Sequence, residues 1–214
     1  FIKKIGHYGT LDPMAKGVLP IAIGEATKTI NYISHDEKEY SFKVKWGEET
    51  DTCDEEGEII KSSKKRPEAR EIEVIIRKHF LGKIQQKPPL YSAVKVNGKR
   101  AYELARKKIK FDIKPKSINI LNFRLKKIVS KDSAEFTISC SPGTYIRSIA
   151  RDLAKRLGTL GHAIEIVRNK NSYFLSGQSL NLNKFFSLNQ KDVDRCILPI
   201  DYALKNLRQI NLEK

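Results

Sequence analysis

Gly6-His7-Tyr8-Gly9-Thr10-Leu11-Asp12-Pro13-Met14-Ala15-Lys16-Gly17-Val18-Leu19-Pro20 places one carboxylate, Asp12, in a loop punctuated by glycine and proline. Gly9 and Gly17 on either side let such a loop bring an acid against a ligand without side-chain crowding. The apolar run that follows, Val18 to Ile23, reads as a buried strand. On composition alone Asp12 is a turn aspartate ahead of that strand. Any chemistry it performs must come from what the rest of the chain sets beside it.

Outward from this loop, Glu25 to Ser34 reads as a short helix, and Glu39 to Trp46 as a strand with clean alternation. Tyr40, Phe42, Val44 and Trp46 fall on one face of that strand, and Ser41, Lys43 and Lys45 on the other. An acidic loop follows. Pro67 suits the first turn of a helix through Phe80, with Ile72, Ile75, Ile76 and Phe80 inward and Gly82 as its stop. Asn97-Gly98 after a β-branched run signals a tight hairpin, then a helix from about Lys99 to Lys108. Strands are expected near Ile118 to Ile128, Ala134 to Cys140 and Ala163 to Val167. Thr144 is the expected cap of a helix in which Ile146, Ile149, Ala150, Leu153 and Leu157 share a face, ending at Gly158. Helices and strands neither alternate strictly nor segregate, which predicts an α+β fold with a mixed, mostly antiparallel sheet. No domain boundary is visible, so residues 1–214 are expected to form one domain.

The formal charge of +16 is uneven. Seven acids and no base lie between Gly47 and Glu58. Setting them aside leaves 41 bases against 18 acids, a balance of +23. A field of that sign points to a polyanionic partner, RNA or DNA before an anionic membrane. Residues 83–110 concentrate it, with nine bases against Glu103 alone and Tyr91 and Tyr102 interleaved. Bases for phosphates with aromatics between them suit RNA read by shape and unstacked loops. No apolar run approaches the roughly 18 residues of a membrane span. Cys53, Cys140 and Cys196 lie far apart without C-x-x-C spacing, which argues against zinc or a disulfide framework and fits a reducing, cytoplasmic setting. Asp51, Asp54 and Gly57 imitate a calcium loop, but Gly57 falls at position 7 where that pattern needs position 6. No metal is expected there; the acidic loop reads as a phosphate-repelling element that orients RNA on the basic face.

Residues 6–20 resemble the aspartate motif of the tRNA pseudouridine-55 synthases of the TruB type, roughly G-H-x-G-T-L-D-P-x-A-x-G-V-L-P. Four further segments resemble that family in the required order. They are Lys38-Glu39-Tyr40 with Gly47 to Gly57, Gln86 to Lys95 with Asn97 to Tyr102, Cys140-Ser141-Pro142-Gly143-Thr144-Tyr145-Ile146-Arg147, and, more weakly, Ala163 to Arg168. Tyr8 and Lys16 stand where the family usually has Thr, Pro142 where it often has Lys, and Ile166 where it more often has Leu. Val167-Arg168-Asn169-Lys170 is a loose version of its L-R-R segment.

The resemblance implies a pseudouridine synthase catalytic fold acting on the T stem-loop of tRNA, with no cofactor. It assigns catalysis to Asp12, and Arg147 as the guanidinium that keeps this acid from taking up a proton in a base-sized apolar pocket. Tyr40 would stack on the target base and serve as a general base, and Ile166 would line the pocket. The uridine must be flipped out of its stack. His7 would occupy the place it vacates. RNA contacts are expected from His7, Lys16, Lys95, Lys99, Arg100 and Arg106, the last four on a flap spanning about 83–110. The family also has an N-terminal strand with a Lys-Pro pair, and often a C-terminal PUA domain, both expected to lie outside this sequence. A monomer is expected. Two other readings share these features: a non-catalytic RNA-binding or RNA-folding factor, and a guide-RNA-dependent pseudouridine synthase.

Overall fold

A computed structural model describes residues 4–33 and 37–205. In chain order the first strands are β1 (Ile5–His7), β2 (Ala15–Gly17), β3 (Ile21–Ile23), β4 (Lys38–Trp46), β5 (Glu48–Thr50) and β6 (Ile59–Ser62). Helix α1 (Ala69–His79) leads into β7 (Gly82–Gln86), the short pair β8 (Lys95–Val96) and β9 (Lys99–Arg100), and α2 (Ala101–Arg106). Long strands β10 (Lys116–Ser130) and β11 (Ser133–Cys140) precede α3 (Ile146–Arg156), β12 (Gly161–Asn171) and β13 (Phe174–Leu175). Short helices α4 (Leu182–Phe185) and α5 (Gln190–Cys196) follow.

The main sheet runs β13-β12-β4-β11-β10-β7, every pair antiparallel. Strand β2 adds to β12 in parallel, which makes the sheet mixed. The fold is the expected α+β class. Alternation in β4 buries Tyr40, Phe42, Val44 and Trp46, and these meet Phe123 and Phe136 of the neighbouring strands. Phe42 stacks on Phe136 at 5.3 Å, and Trp46 meets Phe136 edge-on at 6.1 Å. Ile72 and Ile76 of α1 and Ile149 and Leu153 of α3 complete the same core. Burial of each such side chain contributes about 1.5–3 kcal/mol.

Several local expectations are corrected. Val18 to Ile23 is not one buried strand. Gly17 at φ +103° and Pro20, which has no N–H, split it, and β3 pairs only with β1 in a separate ribbon that leaves Ile21 exposed. Glu25 to Ser34 forms two 3₁₀ turns, Gly24–Lys28 and Ile30–Tyr32, with Ser34 outside the described residues. The acidic segment holds a ribbon, β5 against β6, rather than a plain loop. Thr144 does not cap α3; its hydroxyl donates to the Ser141 carbonyl at 2.8 Å, and Tyr145 takes the cap position. The Asn97-Gly98 hairpin forms as expected, with both residues at positive φ.

Candidate active site

The start of α3 is where the pieces converge. Gln86, at the end of β7, brackets the backbone of Tyr145: its amide donates to the Tyr145 carbonyl at 3.1 Å and accepts from the Tyr145 N–H at 2.8 Å. That pair fixes the helix entry and aims Arg147, on the first turn, inward, where it is 5% exposed. Its Nε donates to Asp12 Oδ2 at 2.8 Å and its Nη2 to Asp12 Oδ1 at 2.9 Å. This two-pronged geometry orients a carboxylate as well as binding it. The remaining donors reach the Thr52 carbonyl at 3.1 Å, the Tyr91 carbonyl at 3.2 Å and Asp54 Oδ2 at 3.1 Å. A guanidinium has five N–H donors, and five acceptors surround this one. Desolvation works against the charge on Arg147, but the bonds and charge of Asp12, then the charge of Asp54, outweigh it and raise its pKa.

Asp54 is the residue that sequence reading missed. It is buried at the tip of the acidic ribbon, and the Thr52 hydroxyl donates to its Oδ1 at 2.5 Å. The Glu56 N–H adds a bond to the same oxygen at 3.1 Å. Cys53, at φ +64°, turns the chain so that Thr52 and Asp54 both face Arg147. The acidic segment is therefore divided: Glu55, Glu56 and Glu58 are exposed, Glu49 is buried and paired with Lys155, and Asp54 belongs to the site. A run of like charge hides such a residue, although the Thr50-Asp51-Thr52-Cys53-Asp54 spacing marked it.

Tyr40 and Ile166 come from paired strands, β4 and β12. Tyr40 lies near enough to Asp12 to feel its charge. Burial, then the field of Cys140, pushes its phenol up to about 12, against the pull of Arg168. It therefore keeps its proton at neutral pH. Ile166 packs in the core and faces Ala15 across the parallel β12–β2 pair, three residues on from Asp12. Lys38 lies 5.6 Å from the Tyr8 ring centroid, and burial followed by the Arg168 charge pushes its ammonium down to about 8.

The expected RNA-binding residues stay outside this cluster. His7 and Lys16 are exposed on β1 and β2. Lys95, Lys99 and Arg100 are exposed on the β8–β9 hairpin, where Arg100 donates to the Ala93 carbonyl at 2.6 Å. Arg106 is exposed on α2, 5.5 Å from the Tyr102 ring centroid. Among the described residues no group of three or more His, Cys, Asp or Glu could hold a metal, and no helix is long and apolar enough to cross a membrane.

The fold thus brings Asp12 and Arg147 together, with Tyr40 near enough to feel the Asp12 charge. The family described as TruB family pseudouridylate synthase (N terminal domain) matches residues 1–146. The chain belongs to this family. Relatives in it include tRNA pseudouridine synthase B of Ehrlichia ruminantium (strain Gardel), 41% identical over 98% of this chain and 71% of the relative. The protein of that name from Clostridium tetani (strain Massachusetts / E88) is 40% identical over 100% of this chain and 72% of its own length. The one from Caulobacter sp. (strain K31) is 39% identical over 96% of this chain and 66% of the relative. The chain thus spans about two thirds of these relatives. Among solved structures, a Cbf5-Nop10-Gar1 complex superposes with a TM-score of 0.68 at 25% identity, covering 94% of this chain and 53% of that one. An H/ACA RNP bound to a substrate RNA gives 0.65 at 21% identity, over 94% of this chain and 52% of that one, a likeness of fold. The TruB-family aspartate motif lies within the matched residues, and Arg147 follows directly after them.

Proposed function

We propose that this chain isomerises uridine to pseudouridine at position 55, in the T-loop of tRNA, with Asp12 as the catalytic carboxylate. The observation that carries the reading is the two-pronged Arg147–Asp12 pair, 2.8 and 2.9 Å, at the meeting point of three motif segments. The names of its relatives support tRNA as the substrate, and their 39–41% identity favours a stand-alone enzyme over a guide-dependent one. The reaction breaks the bond between N1 and the ribose C1′ and forms one from C5 to C1′. The C5 proton leaves to solvent and N1 gains one, so no redox partner or transferred group enters. An aspartate that adds covalently to base or sugar divides this rearrangement into easier steps.

In this reading the chain acts as one catalytic domain and as a monomer in the cytoplasm. Residues 83–110 close over the T stem-loop as a basic flap. Lys95, Lys99, Arg100 and Arg106 contact phosphates there, with Lys16 contributing from β2. His7 takes the place of the flipped nucleotide, Tyr40 stacks on the base, and Ile166 supports the pocket wall. The test is tritium release from transcribed tRNA labelled at uridine C5, without guide RNA or partner proteins. Release by the parent chain and none by Asp12→Asn is the expected result. Equal release from both, or none from either, overturns the reading in favour of an RNA-binding factor or a different nucleophile.

A further inference from the structure

Asp12 has two supports, and the family resemblance assigns a role to only one of them. Arg147 holds the carboxylate; Arg168 holds the backbone that flanks it. This residue lies on β12, in register with Tyr40 of β4 and Gly17 of β2. It is 1% exposed, and its three nitrogens donate to carbonyls at both ends of the Asp12 loop. Nη2 reaches Gly9 O at 2.8 Å, Nη1 reaches Thr10 O at 3.3 Å, and Nε reaches Val18 O at 2.9 Å. The Arg168 carbonyl accepts from the Val18 N–H at 3.0 Å, and Asn171, three residues on, donates to the Tyr8 carbonyl at 2.8 Å. A single side chain therefore closes residues 9–18 into a loop of fixed span.

Two observations separate this arrangement from ordinary core packing. Among the described residues no carboxylate lies within ion-pair distance of Arg168, so its buried charge is met by backbone carbonyls and the Tyr40 phenol. An apolar side chain of similar volume fills the space at lower desolvation cost, and the guanidinium is explained by what its directed donors hold. The glycines of the loop are shaped around it as well. A Cβ at Gly17 would lie 2.1 Å from the Arg168 carbonyl oxygen, and one at Gly9 would lie 3.4 Å from Arg168 Nη1 and 2.8 Å from Lys38 Nζ. Both glycines have positive φ, 103° and 78°. Gly17 thus fits against the backbone of Arg168, and Gly9 against the side chains of Lys38, Asn171 and Arg168.

We infer that Arg168 is a positioning residue for catalysis: it sets the height and span of the Asp12 loop so that the carboxylate meets Arg147 and the substrate in one geometry. This rests on the reading of Asp12 as the catalytic acid. Misplacement of a reacting group by about 1 Å costs about 100-fold in rate.

The test uses Arg168→Lys, which keeps the charge without the fork, and Arg168→Met, which keeps volume without charge. Single-turnover tritium release, RNA affinity and amide exchange are measured on each. The expected result for Arg168→Lys is a rate about 100-fold lower at saturating RNA, with affinity within about threefold of the parent. Exchange at the hydrogen-bonded amides of Ala15 and Val18 should quicken at least tenfold while β4 and β11 stay protected. Parent-like exchange in the loop of either folded variant overturns the inference, as does a parent-like rate. If Arg168→Met fails to fold, Arg168→Lys decides alone. If the parent itself releases no tritium, the uridine reading fails and the exchange measurement still decides whether Arg168 holds the loop.

Discussion

The Asp12–Arg147–Asp54 cluster and the basic segment 83–110 both depend on charge, yet they use it in opposite ways. In the cluster one arginine, 5% exposed, meets five acceptors at 2.8–3.2 Å. In the segment Lys95, Lys99, Arg100 and Arg106 stand in solvent, joined to the fold through a two-strand ribbon and a six-residue helix. Buried charge is directional, costly to break and insensitive to salt; exposed charge is screened and replaceable. On the proposed function, the difference teaches that chemistry is assigned to a buried corner of the sheet and affinity for a polyanion to a separate surface.

The sharpest way to break this division is Arg147→Ala, which leaves Asp12 and Asp54 facing each other without their shared cation. Losing one partner of a buried pair costs about 3–5 kcal/mol, and urea unfolding should report a loss of that size. A loss under about 1 kcal/mol would place Arg147 with the surface arginines. Asp54→Asn is milder, since the amide keeps an acceptor for Thr52. We expect single-turnover rates about tenfold lower, near 1.4 kcal/mol, with RNA affinity unchanged. The paired reversal Lys99→Glu and Arg100→Glu probes the other region. It should leave stability within about 0.5 kcal/mol while weakening RNA binding. Each lost phosphate contact should flatten the slope of log K against log salt by about 0.7–0.9.

The smallest effect concerns pH. The Tyr40 phenol, pushed up to about 12 by burial, titrates above the ordinary tyrosine value of 10.0. The folded state then holds a proton that the unfolded state releases. Stability from this group is intact below pH 10 and is lost as pH rises toward 12. Tyrosinate absorbance should show a late-titrating phenol in the parent that is absent from Tyr40→Phe. Its presence in both proteins would assign the signal elsewhere.

How far the sequence reached follows the same division. The period-two burial of β4, the Asn97-Gly98 hairpin and the inward face of α3 are local signals, and each survives in the fold, whereas Gly82 opens β7 after α1 has already ended at His79. Val18 to Ile23 failed because a short apolar run does not reveal whether a sheet will cover it; here Pro20 and Gly17 steer it to an edge ribbon. Asp54 was hidden in a run of carboxylates whose outward members look identical in sequence. Arg168 read as part of a loose L-R-R match, because a donor to three backbone carbonyls leaves no partner residue type to search for. Contacts to backbone are legible only once the chain is folded.

The central claim is that Asp12 does chemistry while the basic segment only binds. Single-turnover tritium release from C5-labelled tRNA, at RNA concentrations that saturate each variant, tests it most directly. The account predicts no release above background for Asp12→Asn with RNA affinity retained. For the Lys99→Glu, Arg100→Glu variant it predicts a rate within about threefold of the parent once RNA saturates. Release by Asp12→Asn, or a charge-reversed flap that stays slow at saturation, would contradict it.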